Sequence, residues 1–205
     1  MDYLPVRIPK KSLRIVAEQV IPTLGDAPRD SKLVLEVHVA CDNIVARDFS
    51  AFLDLADHVY GRVSGRGLNS YARRSGGHFT FDRSEPGSWV LIAEHALDMA
   101  NSASPLLAVW LVLKYAPSGI HLLAASFNEI EQGRLARAKR KQLSEHMKRD
   151  ASLSGLPDKD RAEAARLVVT LTEQDRNLMP RASRFMRQNL HDVKLHVRNN
   201  DERNN

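Results

Sequence analysis

Residues 105–127 read PLLAVWLVLKYAPSGIHLLAASF, and residues 134–142 read RLARAKRKQ. A long apolar run followed by a basic cluster suits a membrane span with a cytoplasmic anchor. It suits equally well a buried helix leading into a solvated one. A span needs about twenty consecutive apolar residues to cross roughly 30 Å of hydrocarbon. Here the uninterrupted run ends at Leu113, because Lys114 follows it, and Pro117, Ser118, Gly119 and His121 come soon after. A lysine near the middle of a span adds about 2.5–3.5 kcal/mol to insertion. Proline and glycine together predict a break there, giving two short elements. Leu106 to Leu113 is apolar on every side, the composition of a helix enclosed between a sheet and other helices. The core reading therefore wins over insertion. A third reading leaves this helix partly exposed, to be covered by a symmetric partner.

The remainder of the 205-residue chain is consistent with a folded core. Apolar residues make up 43% and charged residues 27%, and a chain of this size hides roughly 70% of its unfolded surface. The net charge of +5 is compatible with nucleic acid or an anionic surface, and bears on association rather than fold. A single cysteine, Cys41, excludes an internal disulfide and a cysteine-rich zinc site. The opening MDYLPVRIPKK has no long apolar run behind its lysines and predicts no secretory signal, so the expected compartment is the cytoplasm.

Strand and helix periods alternate irregularly along the chain. Ser12 is a candidate cap for a short helix carrying Leu13, Val16, Ala17 and Val20 on one face. In LVLEVHVAC (33–41), Leu33, Leu35, Val37, Val39 and Cys41 share one face of a strand, and Val34, Glu36, His38 and Ala40 the other. Asp48 suits the cap of a following helix with Phe49, Phe52, Leu53, Ala56, Val59 and Tyr60 at helical spacing. HFTFD and WVLIAEHAL read as a hairpin joined by RSEPGS. Ser104-Pro105 suits a helix start. The chain is helical again through RAEAARLVVTL, breaks near Pro180, and ends on VKLHVR as a last strand.

The expected class is α+β. A small, mostly antiparallel sheet, with strands near 33–41, 78–82, 89–96 and 193–198, packs against helices. Residues 1–127 would form the core, 128–156 a basic helical segment and linker, and 157–198 the helices and strand that complete the core. Residues 199–205 are expected to form a disordered tail.

Two basic clusters are candidate contact sites. Gly133 looks like a helix break. After it, helical angles place Arg134, Arg137, Lys141 and Lys148 in one stripe of about 21 Å, with Leu135, Ala136, Leu143 and Met147 opposite. Several backbone phosphates would fit that length. The plainer reading is a solvated helix face, since Glu145 falls inside the stripe and can pair with Lys141 and Lys148. In YGRVSGRGLNSYARRSGGHF, Arg62, Arg66, Arg73 and Arg74 are interleaved with Tyr60, Tyr71 and Phe79, a pattern that suits single-stranded nucleic acid. The plainer reading there packs the aromatic rings in the core.

Signals for chemistry are sparse. The glycines at 61, 65 and 67 match neither a dinucleotide nor a P-loop spacing, and no GxSxG or HExxH occurs. Asp54 and His58 lie one helical turn apart, with Asp57 beside them. No third or fourth ligand is evident nearby, so a solvated face is the better reading. Glu94 and His95 point to opposite faces of a regular strand. Cys41 reads as an inert apolar residue, and His38 has no partner identifiable from sequence.

The leading expectation is thus a cytoplasmic protein that binds DNA or RNA electrostatically through the backbone. No motif indicates catalysis, a cofactor, a metal or a small-molecule ligand. The alternative is a protein-interaction or homo-oligomeric scaffold subunit without nucleic acid. A membrane-active effector using the 105–127 segment ranks third.

Overall fold

The computed structural model describes residues 10–28, 31–64, 80–85, 87–96, 105–119 and 129–199. In chain order these form α1 (Lys10–Val20), a 3-10 turn (Pro22–Asp26), β1 (Lys32–Ala40), α2 (Ala46–Ser64), β2 (Thr80–Glu85) and β3 (Ser88–Ala96). α3 (Pro105–Gly119), α4 (Glu129–Arg149), α5 (Asp158–Gln174), α6 (Met179–Asn189) and β4 (Leu190–Arg198) follow. The class is α+β. The strands form one sheet in the order β2-β3-β1-β4, and every neighbouring pair is antiparallel.

The period-two pattern of β1 sets the sheet's two faces. Leu33, Leu35, Val37 and Val39 are buried beneath the helices. Val37 stands opposite Leu91 of β3 and Val193 of β4, and Leu35 opposite Ala93 and Leu195. On the other face Lys32 and Arg198 both reach Glu94, at 2.9 and 3.0 Å. Glu36 lies 3.7 Å from His38, His196 and Arg198. Among the described residues, the enclosed Nε2 of His38 has no hydrogen-bond partner. Glu94 and His95 diverge as the alternation requires: Glu94 joins the outer charges, while His95 Nδ1 is hydrogen-bonded to Tyr60 of α2 at 2.7 Å.

The strand positions expected from sequence are all occupied, with one shift. β2 runs on through Arg83–Glu85, so the hairpin turn is shorter than RSEPGS and holds Gly87 at φ 87°, a backbone state open to glycine without a Cβ clash. Residues 78 and 79 lie outside the described residues.

α3 settles the opening question. No residue from Leu106 to Leu113 is more than 2% exposed. The helix is flanked by α2, α4, α5 and α6 on some sides and by β1, β3 and β4 on another. The chain's own elements therefore cover the octapeptide, leaving no face for a symmetric partner. Among the described residues no helix is long and apolar enough to cross a membrane. Trp110 shows how an indole is tolerated here: its N–H donates to the Val193 carbonyl at 3.0 Å, as buried tryptophans require.

Four expected boundaries are corrected. Pro117 lies inside α3, which continues to Gly119; so close to the C-terminus, the missing N–H removes one of the last ladder bonds without ending the helix. α4 passes straight through Gly133, because glycine near a helix start costs only about 1 kcal/mol relative to alanine. Ser12 and Asp48 lie within the first turns of α1 and α2 rather than at their caps. Asp48 is nonetheless well placed for the helix dipole, and its Oδ2 is 3.4 Å from Arg184 of α6. Ser104, Phe127 and residues 200–205 lie outside the described residues; Asn199, the first residue of the expected 199–205 tail, accepts a hydrogen bond from the Ser31 hydroxyl at 3.0 Å.

Candidate nucleic-acid interface

α4 is amphipathic in the sense its sequence requires. Leu143 and Met147 are buried, where α4 meets α3 and α5. Leu135 and Ala136 are half-buried beside them. On the opposite side Arg137, Lys141 and Lys148 are exposed. Among the described residues none of the three lies within 4.0 Å of a carboxylate. Glu145, the acidic residue in the same stripe, is exposed and forms neither of the pairs open to it. Arg134 lies on α4, but its side chain is outside the described residues. From Arg137 to Lys148 the unpaired cations span about 16 Å of helix.

Lys114 fixes where this helix ends. Its ammonium is 3.0 Å from Asp150 Oδ2, donates to Ser152 Oγ at 3.0 Å, and sits 4.8 Å over the Trp110 ring. Burial pushes the Asp150 carboxyl up, but the Ser152 hydroxyl and amide, together with Lys114, bring it down to about 2. The residue that breaks the apolar run thus ties α3 to the turn just after α4. Beside it, burial pushes the enclosed Tyr115 hydroxyl above the ordinary tyrosine value, with Ser152 working against the rise and Asp150 adding to it.

Lys139 departs from the stripe. It lies four residues before Leu143, on the same face, and is only 7% exposed. Burial lowers its pKa; the charge of Glu173 works against that and the charge of Arg176 adds to it, leaving the ammonium below the ordinary lysine value. The i,i+4 relation to Leu143 is legible in the sequence and was the signal for this residue.

The second basic cluster is divided. Arg62 belongs to the interior: its side chain is 6% exposed and gripped at both Nη atoms by Asp175, Nη2 at 2.9 Å from Oδ1. It therefore faces the interior rather than the surface expected of it, its charge already balanced by a buried carboxylate. His58 Nδ1 also donates to Asp175 Oδ1, at 2.8 Å. Burial pushes the Asp175 carboxyl up, but the bonds and charges of His58 and Arg62 together leave it below the usual carboxylate range. His58, expected on a solvated face with Asp54, is thus turned to a partner 117 positions away. Tyr60 packs in the core. Arg66, Arg73 and Arg74, with Tyr71 and Phe79, lie outside the described residues.

Among the described residues no group of three or more histidine, cysteine, aspartate or glutamate side chains is placed to hold a metal ion. Cys41 is half-buried just past β1, and burial together with Asp42 pushes its thiol up, away from the reactive thiolate. Comparison with protein-family models, with curated proteins and with solved structures found no match.

Proposed function

We propose that this protein binds nucleic acid, DNA or RNA, through backbone phosphates laid along the exposed face of α4. The observation that carries the reading is the row Arg137, Lys141 and Lys148. These cations are exposed and, among the described residues, unpaired, on a helix whose other side is anchored in the core. Charges held in fixed positions and free of internal carboxylates release phosphate counterions on contact, which supplies affinity without sequence preference. Cations spent on internal pairs, such as Arg62 and Arg198, contribute little to such contact. The reading involves no bond-making step and places the protein in the cytoplasm, with net charge +5 as a further support.

A charge reversal tests it. The R137E/K141E variant changes two exposed side chains, so its fold should be unchanged. Fluorescence anisotropy with labelled single-stranded and duplex oligonucleotides should show weakened binding to all sequences alike. Wild-type affinity in the variant at several salt concentrations would remove α4 from the interface. The alternative, a homo-oligomeric or scaffold subunit, predicts a stable dimer by light scattering and no polyanion binding.

A further inference from the structure

The solvent face of α6 differs from that of its neighbours. From Arg176 to His191 the sequence RNLMPRASRFMRQNLH holds four arginines and no acidic residue, whereas α1, α2, α4 and α5 each set acids among their bases. Met179, Ala182, Phe185 and Met186 are buried, and the Phe185 ring lies 4.8 Å from that of Phe52, which fixes the helix's orientation. Arg184 and Arg187 are exposed and Arg181 is half-buried; the three stand three residues apart, over about 9 Å of helix. Among the described residues neither Arg181 nor Arg187 lies within 4.0 Å of a carboxylate. Arg184 is held at 3.4 Å by Asp48 of α2 and keeps 57% of its side chain in solvent.

Two tethers bring the loop between β1 and α2 against this face. One is the Arg184–Asp48 contact. The other is Asn189, buried at the end of α6, whose amide donates to the carbonyls of Ala40 and Asp42 at 3.2 and 3.1 Å. The same loop carries Val45, whose carbonyl accepts from the Asp48 amide at 2.9 Å. At 51% exposure Val45 is the one large apolar side chain turned to solvent among the described residues. A lone exposed valine is ordinary, but this one is fixed beside a row of guanidinium groups. Asp42 is the single acid of residues 41–45.

We propose that loop 41–45 and the outer face of α6 form a docking surface for a protein segment that carries carboxylates around an apolar residue. The apolar residue packs on Val45, and the carboxylates pair with Arg181, Arg184 and Arg187. Composition favours a protein over a nucleic acid, because arginine is enriched and lysine depleted in protein interfaces. All three cations of this row are arginines, while two of the three on α4 are lysines. Each guanidinium offers a fork that one carboxylate fills at two points, as Asp175 does with Arg62. A second copy presenting the same face is disfavoured, since a two-fold contact would set cation against cation. The surface does not depend on the proposed α4 interface.

The test titrates the 15N-labelled full chain with an acetylated twelve-residue peptide of repeating Asp-Leu-Glu and follows the amide chemical shifts. Saturable shifts should gather at residues 42–48 and 181–189. R187E should weaken peptide binding about tenfold or more, the loss of one charge-assisted bond. V45D should weaken it as well, by setting an acid where the apolar contact belongs. A peptide with serine in place of leucine should bind more weakly than its parent. R137E/K141E should bind the peptide as wild type does, so the failure of the α4 interface and the failure of this surface are read separately. Absence of saturable shifts, or unchanged affinity in either R187E or V45D, would overturn the proposal. An oligonucleotide that displaces the peptide from these residues would also overturn it, by assigning the face to nucleic acid. A dimer seen by light scattering and lost in V45D would do so too, by assigning it to a second copy.

Discussion

Removing the Asp175 carboxylate should do more damage than removing any surface charge in the molecule. Asp175 holds buried Arg62 through two contacts and half-buried His58 through a third. Substitution by alanine leaves an enclosed guanidinium without the carboxylate that balances its charge, which typically costs 3–5 kcal/mol. Domains of ordinary stability have about 5–15 kcal/mol in total, and at this chain length each kcal/mol moves Tm by roughly 2–4 °C. D175A should therefore melt roughly 6–20 °C below wild type. R62M keeps the apolar stem and leaves Asp175 one donor, so it should lose less, about 2 kcal/mol. In R62M/D175A both charges are gone, and the double variant should be more stable than the sum of the single losses by about 2 kcal/mol. Urea denaturation of the four proteins measures this. The pH dependence has a definite sign. The folded carboxyl is depressed below its ordinary value, so the contribution of the triad is complete above the unfolded carboxylate range and is lost as pH falls through the folded value. A D175A loss below about 1 kcal/mol, or strict additivity, would refute the claim that this triad ties α2 to the end of α5.

Three further outcomes are expected. K139M should be more stable than wild type by about 1 kcal/mol in urea denaturation, because Lys139 is only 7% exposed and burial disfavours its charged form. W110F should lose about 1–2 kcal/mol in urea denaturation, because the Val193 carbonyl is left without its indole donor. Asp150, with a carboxyl at about 2 against an ordinary 3.8, should contribute stability above about pH 4 that disappears as pH falls toward 2; acid denaturation of D150N should lack that part of the slope.

The sheet was legible because β1 alternates cleanly and its partners repeat the pattern, so one strand's period fixed which residues faced the helices. Enclosure of Leu106–Leu113 was legible from Lys114, the proline and glycine that follow it and the all-round apolar composition, although not the use Lys114 is put to, since Asp150 and Ser152 come from the turn just after α4. Helix ends were misread at Pro117 and Gly133 for a common reason. Proline and glycine penalties are local and modest, and packing of Tyr115 and Ala116 into the core holds the helix beyond the point where propensity alone would stop it. The exposed stripe on α4 followed directly from helical angles. The fate of Arg62 did not, because its acceptor lies 113 positions away and nothing local distinguishes a cation bound for the interior from one bound for solvent.

The most direct test of the central claim is the salt dependence of oligonucleotide binding, compared between wild type and R137E/K141E. Three phosphate contacts from Arg137, Lys141 and Lys148 give a slope of log K against log salt of about −2.7 on duplex DNA and about −2 on single strands. Duplex affinity should then fall about 40-fold between 50 and 200 mM salt. The variant, deprived of two contacts, should bind more weakly and show a duplex slope shallower by about 1.8. A wild-type slope near zero, or an equal slope in the two proteins, would contradict the account.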